Sequence, residues 1–433
     1  MTNHLASFKP AIKRFKNSKF LHASGILLLA NTIVTALGLI RTPAMTWLLP
    51  KDEVGMLGIL ASWMPFIQLL SLSGLDGASH HFVSKGQQWA FIVNLTNRLR
   101  WSLLSMVALL AGGAYWSYRG DFQLAVIFII AGVTYPVTFG LTAVAGTLGG
   151  QERFSNLFWY RILNSLAKFT GFLPLLLSSL MVSQVITFYG VNQIAIAVIH
   201  IIYSLWLVLL IKSNLTYRTP KEEENEVVRY GKHLTVINGI GVLQTRTHAF
   251  LVATMSPLAV VADYSIGLIV AELFRRLWNI FYTIRYPPLV RLPLARRRQR
   301  FIIEGTAVFL LFIVFGILVS LLARWLVPII LPANYSTSII FIYLLVTAVI
   351  IGVPGRVAET YYRTQQNERR LYIMRVIGAI VGVIIPVSLV LRWGAIGAAY
   401  GNIVTSIILS IVGIVLFSLD RPIFNAKEND PRN

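Results

Sequence analysis

Between Leu21 and Leu39 the only ionisable side chain is His22. At 1.5 Å per residue, a helix of this length crosses a hydrocarbon core of about 30 Å. Within a bilayer every backbone N–H and C=O must be satisfied internally, so the stretch is constrained to a spanning helix. Near its far end stands Arg41, with Pro43 two residues on. An arginine in a spanning segment is costly and faces a protein interior or a watery cavity. The proline removes a backbone donor and loosens the helix beside it. The alternative is that Arg41 snorkels to the interface, since Leu49 follows closely.

The rest of the chain repeats the pattern. Of its 433 residues 56% are apolar and only 13% charged, against about 25% charged in a soluble protein. Hydropathy places twelve spans, near 22–48, 54–75, 90–116, 122–148, 158–181, 185–211, 233–255, 258–284, 302–331, 337–362, 371–391 and 395–418. The first reads as a retained span rather than a cleavable signal, because its apolar run outlasts a signal peptide's core. Connections are short except 76–89, 212–232 and 285–301, which leaves no extramembrane domain for a soluble catalytic reaction. The expected organisation is a basic cytoplasmic segment over 1–21, six helices over 22–211, a linker over 212–232, six helices over 233–418, and a cytoplasmic tail over 419–433. The fold class is an all-α polytopic membrane protein in two six-helix bundles.

The charge balance is a topological signal. Thirty-eight Lys and Arg against seventeen acids give +21, which in a soluble protein would suggest nucleic acid. Here nearly all bases outside the spans fall on one side, in the termini and the connections after even-numbered spans. The other side has only Lys51, Arg119, Arg324 and Arg392. Cytoplasmic loops are enriched in Lys and Arg, so both termini are expected inside and nucleic acid is excluded as a partner.

Catalytic signatures are missing. There is no cysteine, no phosphate-binding G-x-x-x-x-G-K-[ST] loop, and no H-E-x-x-H among the seven histidines; no metal, cofactor or enzymatic activity is expected. His80-His81 reads as a solvated pair. What remains is charge within the spans: Arg41, Lys168, Arg246 and Arg356, then Asp263, Glu272, Arg275 and Arg276 in the eighth span and Glu359 in the tenth. Glu272 with Arg276, at i and i+4, and Arg356 with Glu359, at i and i+3, have the spacing of internal ion pairs. Arg41, Lys168 and Arg246 have no such partner in their own spans. A buried cation needs an anion, supplied by another helix or by a substrate. Prolines inside spans, among them Pro43 and Pro354 beside Arg41 and Arg356, are candidate kinks around a cavity.

Several stretches resemble a known superfamily. Leu48-Leu-Pro-Lys-Asp-Glu-Val-Gly55 leading to Gly74-Leu-Asp-Gly77, Gln244-Thr-Arg246 onward to Ala262-Asp-Tyr264-Ser, and Trp393-Gly-Ala-Ile-Gly397-Ala-Ala-Tyr-Gly401 are similar to motifs of the multidrug/oligosaccharidyl-lipid/polysaccharide (MOP) exporters. The nearest pattern is that of the polysaccharide branch and its Wzx-type flippases. Two positions depart from it: His248 stands where the family often has Asp, and Asp263 where it often has Gly.

The resemblance implies a V-shaped alternating-access fold, similar to that of multidrug and toxin extrusion (MATE) transporters, in a bacterial inner membrane. It implies transport of an undecaprenyl-diphosphate-linked oligosaccharide from the cytoplasmic to the outer leaflet, for O-antigen of lipopolysaccharide, capsule or exopolysaccharide. The substrate's diphosphate would meet cations at Arg41, Arg246, Lys168 and Arg356, with Arg41 and Arg246 facing one another from the first spans of the two bundles. Asp263, Glu272, Arg275, Arg276 and Glu359 are candidates for coupling to H+ or Na+ or for internal ion pairs. Membrane lipids and a polymerase or chain-length complex are the expected partners. Two alternatives carry different expectations. A drug or cation antiporter of the same superfamily would want unpaired lumenal carboxylates, and a membrane glycosyltransferase or polymerase a large outer loop.

Overall fold

A computed structural model describes residues 19–177, 183–212, 221–290, 292–365 and 368–419. The tail expected over 419–433 and the basic segment over 1–21 lie outside them, apart from their boundary residues. The chain divides into two compact units, residues 1–239 and 240–433.

The first unit begins with α1 (Lys19–Leu48), α2 (Lys51–Leu70), α3 (Leu75–Ser84) and α4 (Ala90–Tyr118). It continues with α5 (Phe122–Thr138), α6 (Ala143–Gly150), α7 (Phe154–Ala167), α8 (Phe172–Leu177) and α9 (Gln184–Lys212). The unit boundary falls inside α10 (Lys221–Met255). The second unit adds α11 (Leu258–Val290), α12 (Leu294–Ile330), α13 (Ser338–Ile351), α14 (Val353–Thr364) and α15 (Glu368–Leu419).

Every expected span has a helix, or two consecutive helices, in its place. The span over 122–148 is broken after Pro136 by a 3-10 turn at Gly140–Thr142. That over 158–181 is interrupted after Lys168, where the N–H of Gly171 donates to Asn192 Oδ1 on α9 at 2.8 Å. That over 337–362 is interrupted at Gly352, and Pro354 stands in the first turn of α14. Pro43 lies inside α1, which runs through it. The last two spans form the single element α15, broken at Trp393 and Gly394. Gly394 has φ 57°, a left-handed conformation that glycine adopts without steric cost.

Seven segments of the described residues are long and apolar enough to cross a membrane. Besides the short α3, the helices that miss that test are α4, α7 with α8, α10 and α11, whose segments carry Arg98, Lys168, Arg246 and the Glu272–Arg276 cluster. Ile194, Val198, Ile202, Leu205 and Leu209 on α9 and Leu310, Leu311, Val314, Leu321 and Trp325 on α12 are exposed. Rows of exposed apolar side chains this long belong against lipid. The chain is a multi-pass membrane protein.

Three stretches expected as connections are structured. Residues 75–84 form α3, which packs against α6 and against the start of α10. The stretch 285–301 holds the end of α11 and the start of α12. There Arg297 donates to the carbonyls of Leu292 and Thr364, and Arg285 pairs with Glu304. Residues 221–232, expected as linker, are the opening turns of α10. Three of their four glutamates, Glu222 to Glu224, occupy the first turn, where a helix dipole favours negative charge. Val227 then buries itself among Ala78, Phe82, Val83, Ala90 and Val93.

Candidate functional site

In the first unit the chemistry gathers around α1, α2 and α9. Arg41 projects from α1 with its guanidinium carbon 5.7 Å from the centroid of the Phe188 ring on α9. An aromatic face attracts a cation, worth about 0.5–2 kcal/mol, but leaves its N–H donors unused. Arg41 Nε is buried without a hydrogen-bond partner, and no ion pair reaches Arg41 among the described residues. Tyr189, next to Phe188, interacts with it electrostatically and also holds a buried hydroxyl without a partner. Glu53, at the start of α2, has its Oε2 buried without a hydrogen-bond partner. Lys168 closes the C-terminal end of α7 and is engaged within the structure.

The same unit contains an ion pair that hydropathy conceals. Arg98, counted from sequence among the bases of one connection, is only 3% exposed on α4 and pairs with Asp76 of α3. Asn94 Nδ2 donates to the same carboxylate at 3.3 Å. The signal available in the sequence was Asp76 itself, an acid among the small residues of Gly74-Leu-Asp-Gly77.

In the second unit one carboxylate oxygen ties two helices. Glu272 Oε1 on α11 forms an ion pair with Arg246 Nη1 of α10 at 2.9 Å and accepts from Arg275 Nη1 at 2.8 Å. The ion pairs of Glu272 therefore run to Arg246 and Arg275 rather than to Arg276, as the i, i+4 spacing had suggested. Positions i+3 and i+4 share a helix face, and Arg275 is the one directed at the carboxylate. Arg276 adds charge at longer range and is engaged within the structure.

The expected Arg356–Glu359 pair is replaced as well. Glu359 Oε1 accepts from Arg363 Nη2 at 2.7 Å and from Arg375 Nη2, on α15, at 3.1 Å. Glu followed by Arg at i+4 is the better-oriented helical pair. Arg356 lies in the field of Arg275, Glu272 and Glu359, and no ion pair reaches it among the described residues. The cluster brings six arginines, Arg276 included, to two glutamates, an excess of four positive charges. Asp263 is buried on α11 beside Tyr264, whose hydroxyl lies 2.6 Å from His248 Nδ1. His248 and Tyr264 lie in the field of Arg275, one of the arginines that hold Glu272, and no group of three acids or histidines able to hold a metal occurs among the described residues.

Chemically, the arrangement offers cations rather than nucleophiles or general bases. Glu272 and Glu359 are each held by two arginines, whereas no ion pair reaches Arg41 or Arg356 among the described residues.

A family model described as polysaccharide biosynthesis protein matches residues 20–292. Comparison with curated proteins finds no match. Among solved structures, the chain is similar to a multidrug resistance MATE family transporter of the MOP superfamily in its inward-facing conformation. The identity is 12% and the TM-score 0.66, over 90% of this chain and 98% of that one. A MATE protein in a straight conformation aligns with TM-score 0.61 at 13% identity, over 92% of this chain and 95% of that one. A MOP superfamily transporter from Pyrococcus furiosus aligns with TM-score 0.54 at 12% identity, over 92% and 95%. These likenesses show the fold.

Proposed function

Because the chain belongs to the polysaccharide biosynthesis protein family of the MOP superfamily, we propose that it is an exporter of lipid-linked sugar. Its substrate is an undecaprenyl-diphosphate-linked oligosaccharide, moved from the cytoplasmic to the outer leaflet of a bacterial inner membrane. Both termini lie in the cytoplasm, and an H+ or Na+ gradient drives the cycle.

The observation that carries this reading is Arg41, a cation in a spanning helix with buried Nε and no acid bound to it. Guanidinium matches phosphate oxygens with two parallel hydrogen bonds. Each charge-assisted bond contributes about 1.5–3 kcal/mol. The diphosphate supplies the anion that the protein withholds, while the lipid tail remains in the bilayer. Arg356 is its counterpart in the second unit. Arg246, already held by Glu272, sets the geometry of that cluster.

Export of a cationic drug fits these residues less well, because Glu272 and Glu359 are each neutralised by two arginines. One similarly folded protein, the Pyrococcus furiosus transporter, is itself described as having a binding pocket of reverse polarity that suggests a different function. Pocket charge in this fold is therefore open to change.

The test is reconstitution into liposomes with a fluorescent undecaprenyl-diphosphate sugar on one leaflet, scored by its appearance on the other. Translocation of that lipid, with none of a cationic dye such as ethidium, is expected. Dye export without lipid translocation would replace the reading with the antiporter.

A further inference from the structure

We propose that the cleft between α3 and the opening turns of α10 is a binding site for a phosphorylated polyol, distinct from the spanning cations and independent of the export reading. The cleft is an open groove of about 380 Å³, comparable in volume to small-ligand sites. His81, Phe82 and Lys85 line it from the end of α3, and Glu226, Arg229, Tyr230 and His233 from α10. The α10 residues recur at i, i+3, i+4 and i+7, so they share one helix face. His81 and Lys85, at i and i+4, do the same on the other wall.

The walls are preformed. The N–H of Gly74 donates to Thr235 Oγ1 at 3.0 Å. A Cβ on Gly74 would stand 2.4 Å from the carbonyl oxygen of Gly231, so only glycine permits this approach. Phe82 is buried beneath the cleft, 6.3 Å from the Tyr230 ring, and His81 lies 5.5 Å from that ring. These contacts fix the two helices that carry the polar groups against one another before any ligand arrives.

The donor set specifies the ligand class. Arg229 offers a planar fork for phosphate oxygens, Lys85 a point charge, and His81 and His233 ring donors. Lys85 Nζ stays above the Phe82 ring at 5.9 Å, which orients it along the cleft wall. Glu226 would repel a bare phosphate but accepts hydrogen bonds from hydroxyl groups. The tilted His81 and Tyr230 rings give C–H faces of a sugar or glycerol an apolar surface. A ligand with both phosphate and hydroxyls uses every group; inorganic phosphate uses only half. Such a ligand comes from two sources, a soluble sugar phosphate or the headgroup of phosphatidylglycerol.

The experiment is calorimetric titration of the full chain in phosphatidylcholine nanodiscs with glucose 1-phosphate, inorganic phosphate and glucose. A parallel set of nanodiscs contains phosphatidylglycerol, with retained lipid read by native mass spectrometry. Glucose 1-phosphate is expected to bind at least about tenfold tighter than phosphate or glucose, at 1.4 kcal/mol per decade. Lys85→Gln with Arg229→Gln should weaken it at least about tenfold. Glu226→Gln should weaken the sugar phosphate and strengthen inorganic phosphate. These residues are exposed, so the thermal midpoint should not move, and Lys221→Gln, outside the cleft, is the control. Retained phosphatidylglycerol that is lost in the Lys85/Arg229 variant and blocks the titration would identify the lipid as occupant; titration unaffected by that lipid would identify the soluble ligand. Absence of saturable binding for both sources, or affinities unchanged by the double variant, would overturn the site.

Discussion

Arg41 and Arg246 occupy the first spans of the two halves of the sequence, yet the fold treats them differently. Arg246 meets a carboxylate from the next helix at 2.9 Å and shares it with Arg275. Arg41 meets a phenyl face and a tyrosine, with its Nε buried and unbonded. A cation bound to its own acid is part of the scaffold, and its removal exposes the acid. A cation with no acid costs stability while it waits, which a protein tolerates where an external anion completes it. The Asp76–Arg98 pair of the first unit belongs with Arg246 in this respect.

Three substitutions sharpen that contrast, the largest effect first. Asp76→Ala leaves Arg98 3% exposed and without its carboxylate. Losing one partner of a buried pair costs about 3–5 kcal/mol; Asp76 is itself 36% exposed, so water entering its place brings the cost to about 2–3 kcal/mol. The yield of membrane-inserted protein and its thermal midpoint should collapse, and an unchanged midpoint would show that Asp76 does not neutralise Arg98. Glu272→Gln should cost less, about 1–2 kcal/mol, because Arg246 remains 34% exposed and water compensates part of the loss. Adding Arg246→Gln to that variant should recover part of the midpoint; strict additivity would dissolve the pair. Arg363→Gln should cost no more than about 0.5 kcal/mol, since Arg363 is half exposed and Arg375 still holds Glu359. A larger drop would mean that Arg363 rather than Arg375 anchors that carboxylate.

The spans were readable because apolar length is a local property and a bilayer leaves few alternatives to a helix. The intramembrane charges were readable for the same reason, as Arg41 and Arg356 stand out against their neighbours. Partner choice was not. Glu272 has arginines at both i+3 and i+4, and spacing alone does not separate Arg275 from Arg276. The third partner, Arg246, arrives from a different helix. Glu359 likewise turned from Arg356 to Arg363 and to Arg375, 16 residues away. The segment at 221–232 looked like a linker because it is acidic, but acids are what the first turn of a helix favours. Its pairing with α3, which joins His81 to His233, depends on Gly74 and Gly231 meeting across the fold, and no periodicity in either segment announces that.

The most direct test of the account is the affinity of the purified protein for undecaprenyl diphosphate in nanodiscs, measured alongside the thermal midpoint for wild type, Arg41→Lys and Arg41→Ala. The charge-assisted bonds assigned to Arg41 predict that Ala weakens binding by about ten- to hundredfold, with Lys in between. The midpoint of the Ala variant should hold or rise, because an uncompensated buried charge has been removed. An Ala variant that binds undecaprenyl diphosphate as tightly as wild type, or that loses affinity only in step with a falling midpoint, would contradict the role of Arg41 as the substrate's counter-ion.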